Sequence, residues 1–226
     1  MAEVTVDKDF QKEYWDNNPN ARRYDHPVVE AFTKQRLDYL KTKIDFGSLT
    51  SAFDVGCGDG FATYYFDKEI PNVEAGDASQ LLLDINPIPK ERKRLIDAEK
   101  MEIADNTYDL VYAWEVMHHL NNPKKAVQEM ARISKKYVVL FEPNRDHLLQ
   151  FAFGLAVKHE RGILRSTKDY LISLAEGTNT RVAACDYCGK IPPNKTPTSW
   201  LPTMLSMPFL GSKYTGISIA LILEKK

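Results

Sequence analysis

Nothing in this 226-residue chain approaches the roughly 20 consecutive apolar residues that a membrane-spanning helix needs. Its first residues also lack the charged-then-apolar pattern of a secretory signal. A cytoplasmic location is the expectation. Cysteine is scarce: three residues, an odd number, suit a reducing compartment and argue against a disulfide framework. Cys185 and Cys188 have CxxC spacing, but no second pair of ligands stands elsewhere to complete a zinc site. Repeats and low-complexity tracts are absent, and no strong basic run marks a nucleic-acid module, so no nucleic-acid partner is expected. Net charge is small as well, at −1. That figure hides an asymmetry. Residues 1–122 carry 14 Lys+Arg against 23 Asp+Glu, and residues 123–226 carry 16 against 8, giving −9 and +8. The basic half reads either as a solvated face of mixed charge or as a surface for an anionic acceptor such as a phosphate, a carboxylate or a lipid headgroup.

What is present suits one globular unit, since 43% hydrophobic and 27% charged residues build one sizeable core but not two. The most informative stretch is Asp54-Val55-Gly56-Cys57-Gly58-Asp59-Gly60, an apolar strand running into a glycine-rich turn. Alternate glycines permit positive φ and let a ligand approach main chain without meeting a Cβ, while the following amides open a helix N-terminus. A second apolar run ends at Asp77, about twenty residues on, where a strand-terminal carboxylate can accept both hydroxyls of a ribose. The ligand implied is a nucleoside. A dinucleotide site uses GxGxxG to seat a pyrophosphate, whereas this loop is GxGxG with an acid ahead of it and another within it. Asp54 and Asp59 would repel a pyrophosphate and attract an ammonium or sulfonium, the charges on the amino-acid end of S-adenosylmethionine.

Periodicity places helices over residues 9–43, broken at Asn17–Asn20, with Phe10, Tyr14 and Trp15 on one face and Val28, Phe32, Leu37 and Leu40 on the next. Strands are expected at 51–56, 73–77, 93–97, 108–114 and 137–141, with helices at 61–70 and 79–85 between them. A helix over 123–136 would start on Pro123 and end on lysines, the polarity that the helix dipole favours. Residues 146–178 read as inserted helices, and strands near 180–187 and 216–224 complete the set.

Four segments in order resemble class I S-adenosylmethionine-dependent methyltransferases of the small-molecule branch: residues 53–60 ("FDVGCGDG"), 74–79 ("EAGDAS"), 95–120 and 122–144. The resemblance covers roughly residues 50–145 and loosens beyond Asp146. It implies an α/β, Rossmann-like three-layer sandwich with a seven-stranded, mostly parallel sheet and the last strand antiparallel. N-terminal helices and a helical insertion between the fifth and sixth strands would be added. The division expected is a helical lid at 1–45 and a methyltransferase domain at 46–226, with substrate-side insertions at 146–178 and 190–212.

By the same resemblance, the cofactor site comprises Asp54, Gly56, Cys57, Gly58, Gly60, Asp77, Ala78, Asp97, Ala98, Glu99, Trp114 and Glu115. The glycines would pass the methionyl and ribose parts, and Asp77 would hold the ribose. Asp97 would take the adenine amino group, Ala98 would offer its amide, and Trp114 and Glu115 would flank the methionine end. Asp54 as a mere brace of the loop, Asp97 as a turn acid and Trp114 as core packing are the competing readings. The sulfonium is a good leaving group, so transfer depends mainly on alignment and needs a base only for some acceptors. His118 is the base candidate and His119 the structural histidine. Glu115 with these histidines resembles an acid-and-histidine metal cluster of some quinone-pathway relatives, but His118 replaces its second acid, so no metal is expected.

The acceptor is narrowed by an absence: Ala113-Trp114-Glu115-Val116 stands where many amino-methylating relatives carry Asn/Asp-Pro-Pro-Tyr/Phe. A small molecule remains, with a hydroxyl, carboxylate, amine or carbon as acceptor, anionic or saccharide- or lipid-linked. The apolar, proline-rich segment 191–210 reads as a packed loop, a substrate lid or a patch for peripheral membrane contact. Two other classes are weighed against this one: a non-catalytic cofactor-binding partner subunit of the same fold, and a nicotinamide-dependent oxidoreductase, which the loop spacing disfavours.

Overall fold

A computed structural model describes residues 4–226; Met1 to Glu3 of the expected N-terminal lid lie outside them. Seven strands form one sheet in the order β3-β2-β1-β4-β5-β7-β6. They are β1 (Ser51–Val55), β2 (Asn72–Asp77), β3 (Lys93–Leu95), β4 (Tyr108–Trp114), β5 (Ser134–Pro143), β6 (Thr180–Cys188) and β7 (Ser218–Lys225). Strands β1 to β5 pair in parallel, and β7 inserts antiparallel between β5 and β6. This is the expected sheet.

Side chains alternate across each strand, so the two faces are built by residue parity. Phe53 and Val55 of β1, with Val111 and Ala113 of β4, meet α5 (Pro123–Ile133) and α7 (Lys168–Leu174). Ala52, Leu110, Tyr112, Val139 and Phe141 point to the other face, against α2 (Pro27–Lys41) and α3 (Thr63–Phe66). The remaining helices are α1 (Lys8–Trp15), α4 (Gln80–Ile85), α6 (Leu148–Ala156) and α8 (Leu201–Ser206). The Asp7 carboxylate caps α1 by accepting from the Asp9 and Phe10 amides, and His26 Nδ1 accepts from Val28 N at the head of α2.

Three stretches differ notably from the sequence expectation, and other strand ends move by one or two residues. Helix α3 is regular only over Thr63–Phe66, with turns on either side, rather than across 61–70. Strand β3 ends at Leu95. Helix α5 stops at Ile133, and Ser134-Lys135-Lys136 open β5 instead of closing the helix. Pairing explains the last change, because Ser134 is already in register with Tyr108 and its hydroxyl donates to Tyr137 O. The basic residue of the last helical turn is therefore Arg132, which is bound to Glu129 and Asp105.

Candidate functional site

The turn after β1 passes through Gly56, Gly58 and Gly60 at φ of 69°, 52° and 93°. Two of these glycines answer to crowding: a Cβ on Gly56 would lie 2.7 Å from the Val116 methyls, and one on Gly60 would lie 2.4 Å from Pro87 Cδ. Gly58 is different, because no atom outside its own neighbours lies within 4 Å of the place a Cβ would take. Open volume borders bare main chain there. Asp77 ends β2 beside it, its Oδ2 accepting from Gly58 N and its Oδ1 from Ser79 N, both at 2.9 Å. Each oxygen keeps a lone pair for a further donor. Burial raises the Asp77 pKa, and the surrounding amides, that of Ala78 included, work against the rise.

Asp54 faces away from this volume. It shares the parity of Ala52, so its carboxylate enters the α3 side, 1% exposed, and accepts from Thr63 Oγ1 at 2.7 Å. Burial lifts its pKa to about 7 against hydrogen bonds from Thr63 and Tyr112. The geometry is that of a brace under the loop. Cys57 likewise packs its thiol against Ala75, Leu83 and Ile88. Asp59 is tied by Asn20, whose amide donates to its Oδ1 at 2.9 Å, while Asn194 donates to Asn20 at 2.8 Å. The segment before α2 and the loop at 190–197 are thus linked above the glycine turn.

Beyond β3, Asp97 Oδ2 accepts from Lys8 Nζ at 2.7 Å and Oδ1 from Glu99 N at 2.9 Å. Burial pulls its pKa upward, but Lys8 outweighs it and the carboxyl ends below its usual value. The Glu99 carboxylate accepts from Asn122 N, the cap of α5, so its side chain braces that helix start; Ala98 packs against the α5-side core. Trp114 packs edge-on against Phe32, Phe66 and Phe141, and its indole N–H is buried without a partner. Glu115 adopts a φ of 58°, uncommon outside glycine. Burial raises its pKa, opposed by the Arg36 guanidinium, which lies fully buried over the Phe32 ring at 3.5 Å.

The densest polar group sits where β4 turns off. Glu142, at the end of β5 and fully buried, accepts from the amides of Val116, Met117 and His118 and from His118 Nδ1 at 2.7 Å. On the other side of the ring, His118 Nε2 meets Glu160 at 3.3 Å. Burial disfavours the charged imidazole, yet Glu142 and Glu160 outweigh it and hold the pKa at about 10. His119 is the opposite case. Its Nδ1 faces His159 O at 3.1 Å, and burial together with the His118 cation drives its pKa to about 3. Of the two, the histidine expected to be structural is the neutral one with Nε2 uncommitted, and the expected base is a cation clamped at both nitrogens. A ring held at both nitrogens as a cation has no lone pair with which to accept a proton.

Residues 158–165 are strapped onto this turn. A Cβ on Gly162 would lie 1.6 Å from His118 O, so only glycine allows the approach, and Arg165 donates to the carbonyls of Met117 and Leu120. Helix α1 covers the group, with Tyr14 stacked on His159 at 3.8 Å and Trp15 edge-on to His119 at 5.3 Å. The donor atoms of His118, His119 and Glu160 lie within 4.8 Å of one another, so a metal ion could be held by these three only by displacing the proton on His118 Nε2. The sequence pointed to Glu115 as the acid of such a cluster. Glu160 arrives from the insertion, and no local pattern announces it. Glu142 did have a signal, as the one charged residue in the apolar run 137–143.

A cleft of about 170 Å³ opens beside the glycine turn between Arg23, Tyr24, Asp59 and Ile85. A larger hollow of about 320 Å³ is lined by α2 and α8 residues, including Glu30, Lys34 and Leu205, and by none of the strand-end residues above.

Residues 53–141 match the family model described as a methyltransferase domain. An uncharacterized methyltransferase of Schizosaccharomyces pombe is 35% identical over 97 residues, a segment that spans 36% of this chain and 35% of that protein. Among solved structures, a possible histamine N-methyltransferase from Thermotoga maritima superposes with a TM-score of 0.66 at 15% identity, covering 88% of this chain and 91% of that one. A magnesium protoporphyrin IX methyltransferase from Synechocystis, solved with bound S-adenosylhomocysteine, superposes at 0.63 with 13% identity, covering 97% and 99%. At such identities the likeness is one of fold.

Proposed function

We propose that the chain is a class I, Rossmann-like S-adenosylmethionine-dependent methyltransferase, an enzyme transferring the methyl group of that cofactor to a small-molecule acceptor; the methyltransferase-domain match over residues 53–141 and the shared fold support this reading. The observation that carries this reading is the pairing of Gly58 with Asp77. Open volume borders the glycine, and a carboxylate with spare lone pairs is fixed beside it by the Gly58 and Ser79 amides. In this reading Asp77 receives the ribose hydroxyls, Gly56 to Gly60 pass along the methionyl part, Ala98 and Asp97 meet the adenine, and Trp114 and Glu115 bound the methionine end. Asp54, Cys57 and Glu99 support the walls through the contacts described.

The chemistry is an in-line displacement. When bound, the cofactor would supply an electrophilic methyl group on a sulfonium, to which a lone pair of the acceptor would bond as the bond to sulfur breaks and a neutral thioether remains. His119, neutral with Nε2 uncommitted, would accept a hydrogen bond from an acceptor hydroxyl and orient it, while the burial and neighbouring His118 cation that lower its pKa make it a weak base, so the released proton passes to solvent. His118 stays charged and orients the turn. The acceptor is a hydroxyl, carboxylate, amine or carbon on a small molecule, anionic or saccharide- or lipid-linked, consistent with the +8 charge of residues 123–226. Helix α1 and the loop before α2 act as a lid, held by Lys8 on Asp97 and Asn20 on Asp59; closure would keep water from the sulfonium.

Calorimetric titration with S-adenosylhomocysteine and S-adenosylmethionine, with NADH as control, tests the cofactor. Binding of the first two alone is expected, and binding of NADH instead would sink the reading. Methyl transfer from labelled cofactor to panels of hydroxylated, carboxylated and phosphorylated acceptors then separates an enzyme from a partner subunit that binds without turnover.

A further inference from the structure

Helix α6 turns most of its apolar residues outward rather than inward. Its sequence, Leu-Leu-Gln-Phe-Ala-Phe-Gly-Leu-Ala, carries no charge, yet Leu148 is 75% exposed, Leu149 69% and Leu155 56%, with Phe151 and Phe153 also exposed. Only Gly154 is buried, against Ile163 and Leu164. At about 100° per residue, the exposed positions 148, 149, 151, 152, 153, 155 and 156 sweep roughly 200° of the helix circumference. Gln150 and Gly154 face the protein. An apolar arc that wide on a surface helix is a recognition feature.

The shape and the charges say what covers it. A flat protein face covers one side of a projecting helix, whereas a fluid apolar phase can close around most of it. Basic residues frame the helix: Lys158 and Arg161 follow it, both exposed. Lys213 lies at its head, where Asn144 donates to Lys213 O and Gln150 to Ile217 O. Beside Lys213 stands Tyr214, 65% exposed, an amphipathic ring of the kind that lodges at headgroup level. The nearby acids are already taken, Asp146 by Arg145 and Glu160 by His118. We infer that α6, with Arg161, Lys158 and Lys213 around it, docks the protein on an anionic lipid bilayer by burying its apolar arc at the headgroup boundary. The same helix packs on residues 158–165, which carry Glu160 and His159, so a docked protein presents the histidine cluster close to the bilayer surface.

Co-sedimentation of the full chain with vesicles of phosphatidylcholine, with and without phosphatidylglycerol, tests this. Binding is expected to the anionic vesicles and to fall with salt. Leu149→Glu should reduce it at least about tenfold, and Arg161→Ala and Lys213→Ala by about fivefold each. Far-ultraviolet circular dichroism and S-adenosylhomocysteine affinity should be unchanged in all three. Should Leu149→Glu fold poorly, Phe151→Trp supplies a conservative alternative whose fluorescence brominated lipids should quench. No vesicle binding, binding indifferent to all these substitutions, or an unquenched indole would overturn the inference. So would a concentration-dependent dimer abolished by Leu149→Glu without vesicle binding, which would assign the arc to a second copy.

Discussion

Replacing Glu142 by Gln is the sharpest test of how the β4 exit is held together. The carboxylate accepts four hydrogen bonds, three from consecutive backbone amides and one from His118 Nδ1, with no solvent to substitute for any of them. Gln keeps one acceptor oxygen and turns an NH2 group toward donors, so at least one buried N–H faces another N–H. The substitution also strips the His118 cation of its nearer counterion. An unsatisfied buried donor costs about 1–3 kcal/mol, and breaking one side of a buried charge pair about 3–5 kcal/mol. These effects overlap, so the expected loss is about 3–5 kcal/mol, read as a lower urea midpoint at unchanged slope. A pH signature separates this from simple loss of packing. His118 has its pKa raised from 6.5 to about 10 in the folded protein. The stabilisation is therefore full below about pH 6.5 and disappears as pH rises through 10. Wild-type stability should fall across that window, and Glu142→Gln should flatten the fall. A loss below about 1 kcal/mol, or an unaltered pH profile, would refute this account of Glu142 and His118.

Asp77→Ala should weaken S-adenosylhomocysteine by about 1–3 kcal/mol, the cost of ribose hydroxyls left unpaired; an affinity within twofold of wild type in calorimetry would remove Asp77 from the site. Asp54→Asn tests the brace. With a folded pKa raised to about 7 from 3.8, the wild-type carboxyl costs nothing at pH 4 and destabilises progressively as pH rises through 7, by up to about 4 kcal/mol. The Asn variant should then lose less stability than wild type between pH 5 and 8, and parallel melting profiles would contradict the shift. His119→Ala should lower kcat for hydroxyl acceptors by about tenfold, the loss of one orienting hydrogen bond, while leaving S-adenosylhomocysteine affinity intact; an equal effect of His118→Ala alone on folded enzyme would reverse the assignment. Asn20→Ala should speed S-adenosylhomocysteine release in stopped-flow measurements, and an unchanged off-rate would dispose of the lid.

The parallel sheet, the existence and order of its strands and the glycine turn could all be read along the chain, because they depend on local pattern. Period-two and continuous apolar runs mark strands, and glycine alternation marks a turn that needs positive φ. Even the inward aim of Asp54 was available from its parity with Ala52, since β1 presents even-numbered residues to α2 and α3. Contacts between distant segments had no such signature. Which histidine is charged depends on Glu142 from a neighbouring strand and Glu160 from the insertion. The ends of α5 and β5 depended on Ser134 finding Tyr108 across the sheet. Lys8 on Asp97 and Asn194 on Asn20 likewise join residues that only folding brings together. The sequence marked residues 146–178 only as inserted helices, and tertiary placement alone turned the apolar residues of α6 outward. Local periodicity therefore determined the scaffold, while protonation states, the bracing of the site and the exposed helix were decided by long-range packing, which sets burial and partner charge.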